Sequence, residues 1–586
     1  MASDRRQILI NSILGGQSKY VNYAAEDEFL HSYNIDPDLS SGFTQSDGVI
    51  TPTGIQALGS VTGPPLWFTR NISEKTGVGR IYVYCANGST YQINVDDFTI
   101  GGTSLNLNDS NGTASGNGMA YYDNYIYYAR DTTIARRGPV NGSPTLTQDY
   151  WVGTLGKAVL TNTFYPIYYN RSATPSPNSV LMPNHPMLAH SDGKLYIADV
   201  VGNQGTIHYI KTTKTTVEGD TDDGSTFNAL DMPYGMYPTA LESYGTDIAI
   251  ALHNGNTNGS TGESPPGYSR AVLAFWDTVS PSYSLITSVE FPDPVIYALK
   301  NSNGVLYVFS GQVQQPGVRV TRFAGGYTFE QVAYIDHAYP PLAGAVDGFL
   351  NRILFGGSTT EPNPQVYDIT NTTTTSIPNN SSMSGCVWAI GSKKAPVSLS
   401  LFNMMGCSST NSSSRITAAM IAGQGGMDSL KLITGWGGTT SYGIDTSLTN
   451  TQATSTRQPS DLGGGSLTVN ASSGPPSAWR SQVYRIGQKF KITKISIPFA
   501  QRFDFGDGNA GLTVGIYRDG IDSESNYVRI GDFVGSEEYK NRLVIRPVGL
   551  VCEYRFILEL IFTSDANNPY PRVSLPIAIE YELISD

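Results

Sequence analysis

The chain of 586 residues carries 49 acidic against 37 basic side chains, a formal net charge of −12, and only 15% of its residues are charged. That balance disfavours nonspecific adhesion to phosphate backbones, because nucleic-acid grooves draw their affinity from clustered lysine and arginine, and no long basic run is present to form a local patch. The 62 glycines and 33 prolines break long helical patterns and leave turns and strands as the expected local structure.

The length permits a large core and more than one domain. The opening MASDRRQILINSILGGQ has a basic pair but no apolar run fit for a signal peptide, and no later segment reaches the roughly 20 apolar residues of a membrane helix. The expectation is a soluble chain with neither membrane insertion nor direct nucleic-acid binding, reaching any cell exterior by lysis or assembly. The basic pair Arg136-Arg137 reads as a surface turn.

Residues 1–62 differ in character from the rest of the chain. RRQILINSILGG, stopped by Gly15 and Gly16, reads as one short amphipathic helix, and YNIDPDLSSGFTQSDGVITPTG is too rich in turns to form its own core. This segment is expected to be an arm or assembly adaptor that orders against the main body or a neighbouring subunit.

From residue 63 a repeat takes over. Its clearest copies are IYVYCANGSTYQI (81–93), GMAYYDNYIYYAR (118–130), PMLAHSDGKLYIADV (186–200), TALESYGTDIAIALH (239–253), VIYALKNSNGVLYVFSG (295–311) and LAGAVDGFLNRILFGG (342–357). Each of the last five sets an apolar strand, a turn with Gly, Asn or Asp, and a second apolar or aromatic strand. In KLYIADV, Leu195 and Ile197 point to one face while Tyr196 and Ala198 point to the other, so both faces need cover. A less regular third strand comes after most hairpins: TIHYIK (206–211), AVLAFWD (271–277), VRVTRF (318–323) and QVYDI (365–369). CVWAI, near Gly385, marks the start of a further unit.

Three or four strands recurring about every 50 residues is the length of a propeller blade, whose small sheet buries both faces only when another blade stacks on each side. Residues 63–445 are therefore read as a β-propeller; seven blades divide it best, six or eight also fit, and a pair of ordinary sandwiches is the rival. Residues 446–478, rich in Ser, Thr, Gly and Pro, are a linker or a propeller-closing segment, with SLTV as the candidate strand. Residues 479–586 hold SQVYRIGQKFKITKISIPFA (481–500), LTVGIYRDG (512–520) and EYRFILELIF, in which Tyr554, Phe556, Leu558, Leu560 and Phe562 make one apolar face. This is expected to be a β-sandwich with jelly-roll connectivity, so the whole chain is all-β.

Candidate chemistry is sparse. Cys85, Cys386, Cys407 and Cys552 form no CxxC metal pattern and no dense disulfide framework, and isolated buried thiols are favoured over a Cys386–Cys407 bridge. The histidines are His31, His185, His190, His208, His253 and His337; Pro186 denies His185 and His190 the helical spacing of a zinc peptidase, which leaves them hydrogen-bonding roles near a propeller axis. Calcium is considered at DTDDGST, through Asp220, Asp222 and Asp223, and at DFGDGN, through Asp504 and Asp507. Both loops lack the full EF-hand spacing and read as solvated turns. No GxSxG elbow and no P-loop occurs. Asp192, Asp199, Glu242 and Asp347 recur near hairpin ends, and two of them meeting at a propeller centre is the pattern a glycoside hydrolase requires. Tyr125, Tyr127, Tyr196 and Tyr307 lie inside predicted strands and read as packing residues.

The leader ILGGQSKYVNYAAEDEFLHSYNIDPDLSSG, the hairpins SDGKLYIAD and SNGVLYVFS, and the closing SQVYRIGQKFKITKISIPF resemble virion-associated propeller proteins of tailed bacteriophages. The resemblance implies a non-enzymatic scaffold or adaptor of a tail or adsorption structure, assembled in the host cytoplasm with other virion proteins and self-associating in a symmetric assembly. It carries across no catalytic residue and no cofactor. The alternatives are a module that binds a host-surface carbohydrate and, behind it, a glycoside hydrolase.

Overall fold

The computed structural model describes residues 5–13, 16–17, 26–33, 35–36, 49–52, 55–72, 79–85, 89–94, 99–100, 105–106, 118–123, 125–130, 133–137, 149–154, 185–201, 204–211, 226–254, 270–312, 316–323, 328–335, 338–349, 352–359, 384–390, 401–406, 415–422, 431–438, 441–447, 477–504, 511–519, 527–532, 539–563 and 573–584. Their regular structure is strand, apart from two three-residue 3-10 turns, Tyr283–Leu285 and Ala343–Ala345.

Seven antiparallel sheets succeed one another along the chain. The first is Pro65–Ile72, Gly79–Cys85, Ser89–Asn94 and Leu105–Asn106; the second is Met119–Tyr122, Tyr125–Arg130, Thr133–Arg137 and Asp149–Thr154. The third runs Met187–Ala189, Leu195–Val201, Gln204–Ile210 and Thr226–Tyr234, and the fourth Tyr237–Tyr244, Asp247–His253, Ala271–Trp276 and Thr287–Phe291. The fifth runs Val295–Ser302, Val305–Gly311, Val318–Phe323 and Phe329–Ile335. In the sixth, Ala338–Tyr339 and Val346–Phe349 both pair with Arg352–Thr359, and Ser384–Ile390 and Leu401–Gly406 lie beyond it. The seventh is Arg415–Ala422, Lys431–Gly437 and Tyr442–Ser447, completed by Ile55–Ser60 from ahead of the first sheet. This is an all-β repeat architecture of the propeller type.

The two-faced strand expected at KLYIADV shows why the sheets stack. Leu195 and Ile197 join Ala120, Tyr125 and Tyr127 of the second sheet in one apolar cluster. Tyr196 and Ala198 join Leu241, Ile250 and Trp276 of the fourth sheet in another. All four of the strand's residues are at most 2% exposed, and burying a side chain such as Leu or Ile stabilises by about 1.5–3 kcal/mol. Similar clusters join the first sheet to the second, the fourth to the fifth and the fifth to the sixth. Leu354, Val387 and Ala389 of the sixth share a cluster with Ile416 and Leu432 of the seventh, and Ala418 and Ile433 of the seventh join Val83 and Ile93 of the first. One edge strand of each sheet touches that of the next, and Arg415–Ala422 touches Pro65–Ile72. The turn Ala343–Ala345 packs against these edge strands of the first, fifth and seventh sheets.

Three details differ from the sequence reading. CVWAI belongs to Ser384–Ile390, an inner member of the sixth sheet, so the seventh unit begins at Arg415 rather than near Gly385. Arg136 and Arg137 lie in a strand paired on both sides, not in a turn. RRQILI is a strand, not a helix: Arg5–Ile10 pairs antiparallel with Ile577–Leu583 from Arg5↔Glu582 to Ile10↔Ile577. The register sets Ile8 beside Ile579, Ile495 and Ile545 in one row across four strands, and that packing overrides the helical propensity of the segment.

The remaining strands form two more sheets. One joins Arg5–Ile10, Ile577–Leu583, Phe490–Asp504, Val573–Ser574, Val49–Pro52 and Ile35–Asp36, with Tyr539–Ile545 and Val551–Cys552 also on Phe490–Asp504. The other joins Gly16–Gln17, Glu28–Tyr33, Ser477–Ser481, Arg555–Thr563, Gly511–Arg518 and Tyr527–Asp532, with Tyr484–Arg485 on Arg555–Thr563. They share one core, in which Ile492, Ile495, Ile577 and Ile579 of the first meet Leu512, Val514, Leu558 and Leu560 of the second. Of the apolar face read in EYRFILELIF, Phe556, Leu558, Leu560 and Phe562 are buried, whereas Tyr554 is 46% exposed. The segment 448–476, with SLTV, lies outside the described residues.

Candidate functional site

Charged side chains converge on the contacting edge strands. Glu242 comes from the fourth sheet, Lys300 from the fifth and Asp347 from the sixth. Lys300 Nζ lies 3.0 Å from Asp347 Oδ1, and Asp347 Oδ2 accepts the backbone N–H of Ile421 in the seventh sheet at 2.8 Å. Glu242 accepts the N–H of Ser243 at 3.1 Å, and the Asn301 side chain donates to the Ser243 carbonyl at 2.7 Å. Four consecutive sheets are thereby tied together. Burial works against the charge of Lys300, but Asp347 and then Glu242 outweigh it and raise its pKa above the usual lysine value. Burial raises the Glu242 carboxyl, an effect that Lys300 partly offsets. Of the four acids noted in the sequence, Asp347 pairs with Lys300 and Glu242 feels its charge.

The other two acids serve the third sheet. His208 Nδ1 accepts the Asn228 N–H at 2.9 Å, so its proton sits on Nε2 and is donated to Asp199 Oδ2 at 3.1 Å. His185 Nδ1 donates to the Ala198 carbonyl at 3.1 Å and lies 3.4 Å from Asp199 Oδ1. Asp199 thus accepts from one buried imidazole and lies beside a second, which the Ala198 carbonyl orients. In the turn before KLYIAD, Asp192 meets His190 Nδ1 at 3.1 Å and Lys194 Nζ at 3.0 Å, and accepts the Tyr196 hydroxyl at 2.7 Å. Burial would raise the Asp192 carboxyl, yet these three partners hold it below the usual carboxylate range. Lys194 also lies 4.7 Å from the centre of the Tyr209 ring, and Tyr196 packs edge-on against Trp276. His253 is 3% exposed beside Tyr237, and burial pushes its pKa down to about 3.

Asp220, Asp222, Asp223 and Asp507 lie outside the described residues, and Asp504 is described only as the last backbone position of Phe490–Asp504. Among the described residues no group of three His, Cys, Asp or Glu side chains could hold a metal ion. Cys85, Cys386 and Cys552 are buried; Cys407 and His337 lie outside the described residues, and His31 is described only as backbone in Glu28–Tyr33. Burial pushes the Cys552 thiol up to about 12, which suppresses thiolate chemistry. Among the described residues no helix is long and apolar enough to cross a membrane.

Two networks escaped the sequence reading. Glu559, 1% exposed, accepts Arg480 Nε at 2.7 Å and the Tyr517 hydroxyl at 3.3 Å, and the Arg480 guanidinium lies 5.0 Å from the Tyr517 ring centre. In the fifth sheet Asp293 Oδ2 accepts both Ser310 Oγ at 2.7 Å and Arg319 Nε at 2.8 Å. The one signal for the first was an acid among alternating apolar residues in RFILELIF; the second had none, since its members are far apart in the chain.

No family model matches the chain, and no curated protein matches it. Among solved structures, the WD40 repeats of RRP9 align over 68% of this chain and 99% of their own, with a TM-score of 0.38 and 11% identity. YCF48 bound to D1 peptide aligns over 71% and 97%, at a TM-score of 0.38 and 8% identity. The N-terminal domain of Nup159 aligns over 70% and 99%, at a TM-score of 0.32 and 7% identity. The architecture of this chain rests on its strand pairings themselves.

Proposed function

We propose that this chain is a non-enzymatic structural component of a phage virion, a scaffold or adaptor in the tail or adsorption apparatus. In this reading the seven sheets are blades of a closed propeller, and the two remaining sheets form a jelly-roll sandwich. The observation that carries it is the lacing of residues 1–62 through both parts. Arg5–Ile10 lies in one sandwich sheet, Glu28–Tyr33 in the other, and Ile55–Ser60 completes the seventh blade. Described strands of that segment pair in three separate sheets, and one apolar cluster holds Leu354 and Val387 of the sixth sheet together with Phe29 and Trp479 of the sandwich, which suits a part that joins neighbours rather than one that turns over substrate. Contact between the first and seventh sheets supports closure. The pairing of Asp347 with Lys300 supports the non-catalytic reading, because a glycosidase needs its two carboxyl groups to flank a sugar.

The partners in this reading are other virion proteins and further copies of the chain, assembled in the host cytoplasm. The leader's described strands are used within the chain, which leaves the outer surfaces of sandwich and propeller as the faces for neighbours. Cryo-electron microscopy of purified native particles tests the proposal. The expected result is density for this chain at a fixed, symmetric position with its sandwich against a neighbour; a chain missing from purified particles and monomeric in the lysate overturns it.

A further inference from the structure

We propose that the outer strand of the fifth sheet carries a binding subsite for a neutral pyranose, formed by Tyr334, Arg319 and Gln331. This inference does not depend on the virion reading. Arg319 and Tyr334 are direct partners across the strands Val318–Phe323 and Phe329–Ile335. The guanidinium carbon lies 5.6 Å from the Tyr334 ring centre, and Tyr334 is 41% exposed. Gln331 would face away from Tyr334 in a regular strand, since their separation of three positions is odd. A register shift between Val320 and Thr321 intervenes, so that consecutive Val332 and Ala333 are both buried while Gln331 and Tyr334 are both exposed. Bulges of this kind re-aim a side chain, and here Arg319 Nη1 donates to the Gln331 side-chain oxygen Oε1.

The group is held from behind. Asp293, 7% exposed, takes Arg319 Nε at 2.8 Å and is itself fixed by Ser310 Oγ. The Tyr334 hydroxyl lies over Gly317, whose φ is +126°; a Cβ built there would sit 2.8 Å from that oxygen. Only glycine allows both the backbone angle and the ring position. Nη2 of Arg319, Nε2 of Gln331 and the Tyr334 hydroxyl have no hydrogen-bond partner among the described residues.

An exposed ring with a planar guanidinium, an amide and a hydroxyl around it is the equipment for a sugar: a pyranose face lies on the ring while the planar groups reach its hydroxyls. Asp293 already neutralises Arg319, so the subsite offers hydrogen bonds without net charge. That favours a neutral hexose over a uronate or a sialic acid, whose carboxylate would sit near Asp293.

Saturation-transfer NMR on the intact chain, with neutral methyl hexopyranosides and methyl glucuronide as probes, tests the assignment. The expected result is saturable binding of at least one neutral glycoside, weakened about tenfold by Tyr334→Ala and clearly weakened by Gln331→Ala. Arg319→Lys, which keeps the charge but loses the planar fork, should also weaken it. Thermal unfolding checks that each variant folds, and Gln331→Ala stands in should Tyr334→Ala fail. No saturable binding of any neutral glycoside overturns the proposal, as does binding of the glucuronide alone or binding that no folded variant changes.

Discussion

Acidification acts on this fold through His253 with a sign and size that its burial dictates. His253 ends the second strand of the fourth sheet, 3% exposed, and burial pushes its pKa from 6.5 down to about 3. Because the folded value is depressed, the neutral ring contributes its full stability above pH 6.5, and that contribution is lost as the pH falls toward 3. At pH 5.0 the unfolded chain protonates this histidine while the folded chain does not. The gap of 1.5 pH units below the unfolded value corresponds to about 2 kcal/mol. His253→Phe removes the titrating group while keeping a ring beside Tyr237. Urea unfolding monitored by tryptophan fluorescence at pH 7.5 and 5.0, on both proteins, isolates the term: the wild type should lose about 2 kcal/mol more than the variant on acidification. An equal loss in the two proteins would refute the reasoning.

Other perturbations test particular contacts. Gly435 of the seventh sheet faces Pro65 of the first, and a Cβ there would come within 2.4 Å of Pro65 Cβ. Gly435→Ala should therefore cost about 1–3 kcal/mol by overpacking, and an unchanged thermal midpoint would contradict that contact. Lys300→Met removes the cation from Asp347 and Glu242, and with Lys300 27% exposed the loss should be about 2 kcal/mol. Adding Asp347→Asn should recover part of it, so strictly additive losses would count against the pair. Glu559→Gln should cost about 2–4 kcal/mol by leaving Arg480 without its carboxylate, whereas Glu559→Leu combined with Arg480→Met should be milder in denaturant titrations; the reverse order would show that the pair is not buried as described.

What the sequence made legible was what repeats locally. Hairpins such as KLYIADV show their two apolar faces directly, and the structure gives each face a neighbouring sheet. Strand pairings between distant segments leave no local trace. RRQILI looks helical until the free edge of Ile577–Leu583 is set beside it, and Ile55–Ser60 belongs to a sheet whose other strands begin at Arg415. CVWAI misleads because an inner strand of a sheet has the same apolar content as its first. Among candidate groups, Glu242 and Asp347 are visible as acids at hairpin ends, but their shared Lys300 requires the stacking of three sheets. The Tyr334 group is hidden more deeply, since a register shift, rather than any residue pattern, turns Gln331 to the same side as Tyr334.

The segment ahead of the first sheet completes the seventh, from Ile55↔Ser447 to Ser60↔Gly443. Native-state hydrogen exchange resolved by mass spectrometry measures this directly, because amides in a paired strand exchange only when the pairing opens. Peptides covering Ile55–Ser60 and Tyr442–Ser447 should be protected to a similar extent and lose protection together as denaturant rises. Rapid exchange of Ile55–Ser60 while Tyr442–Ser447 stays protected would contradict it.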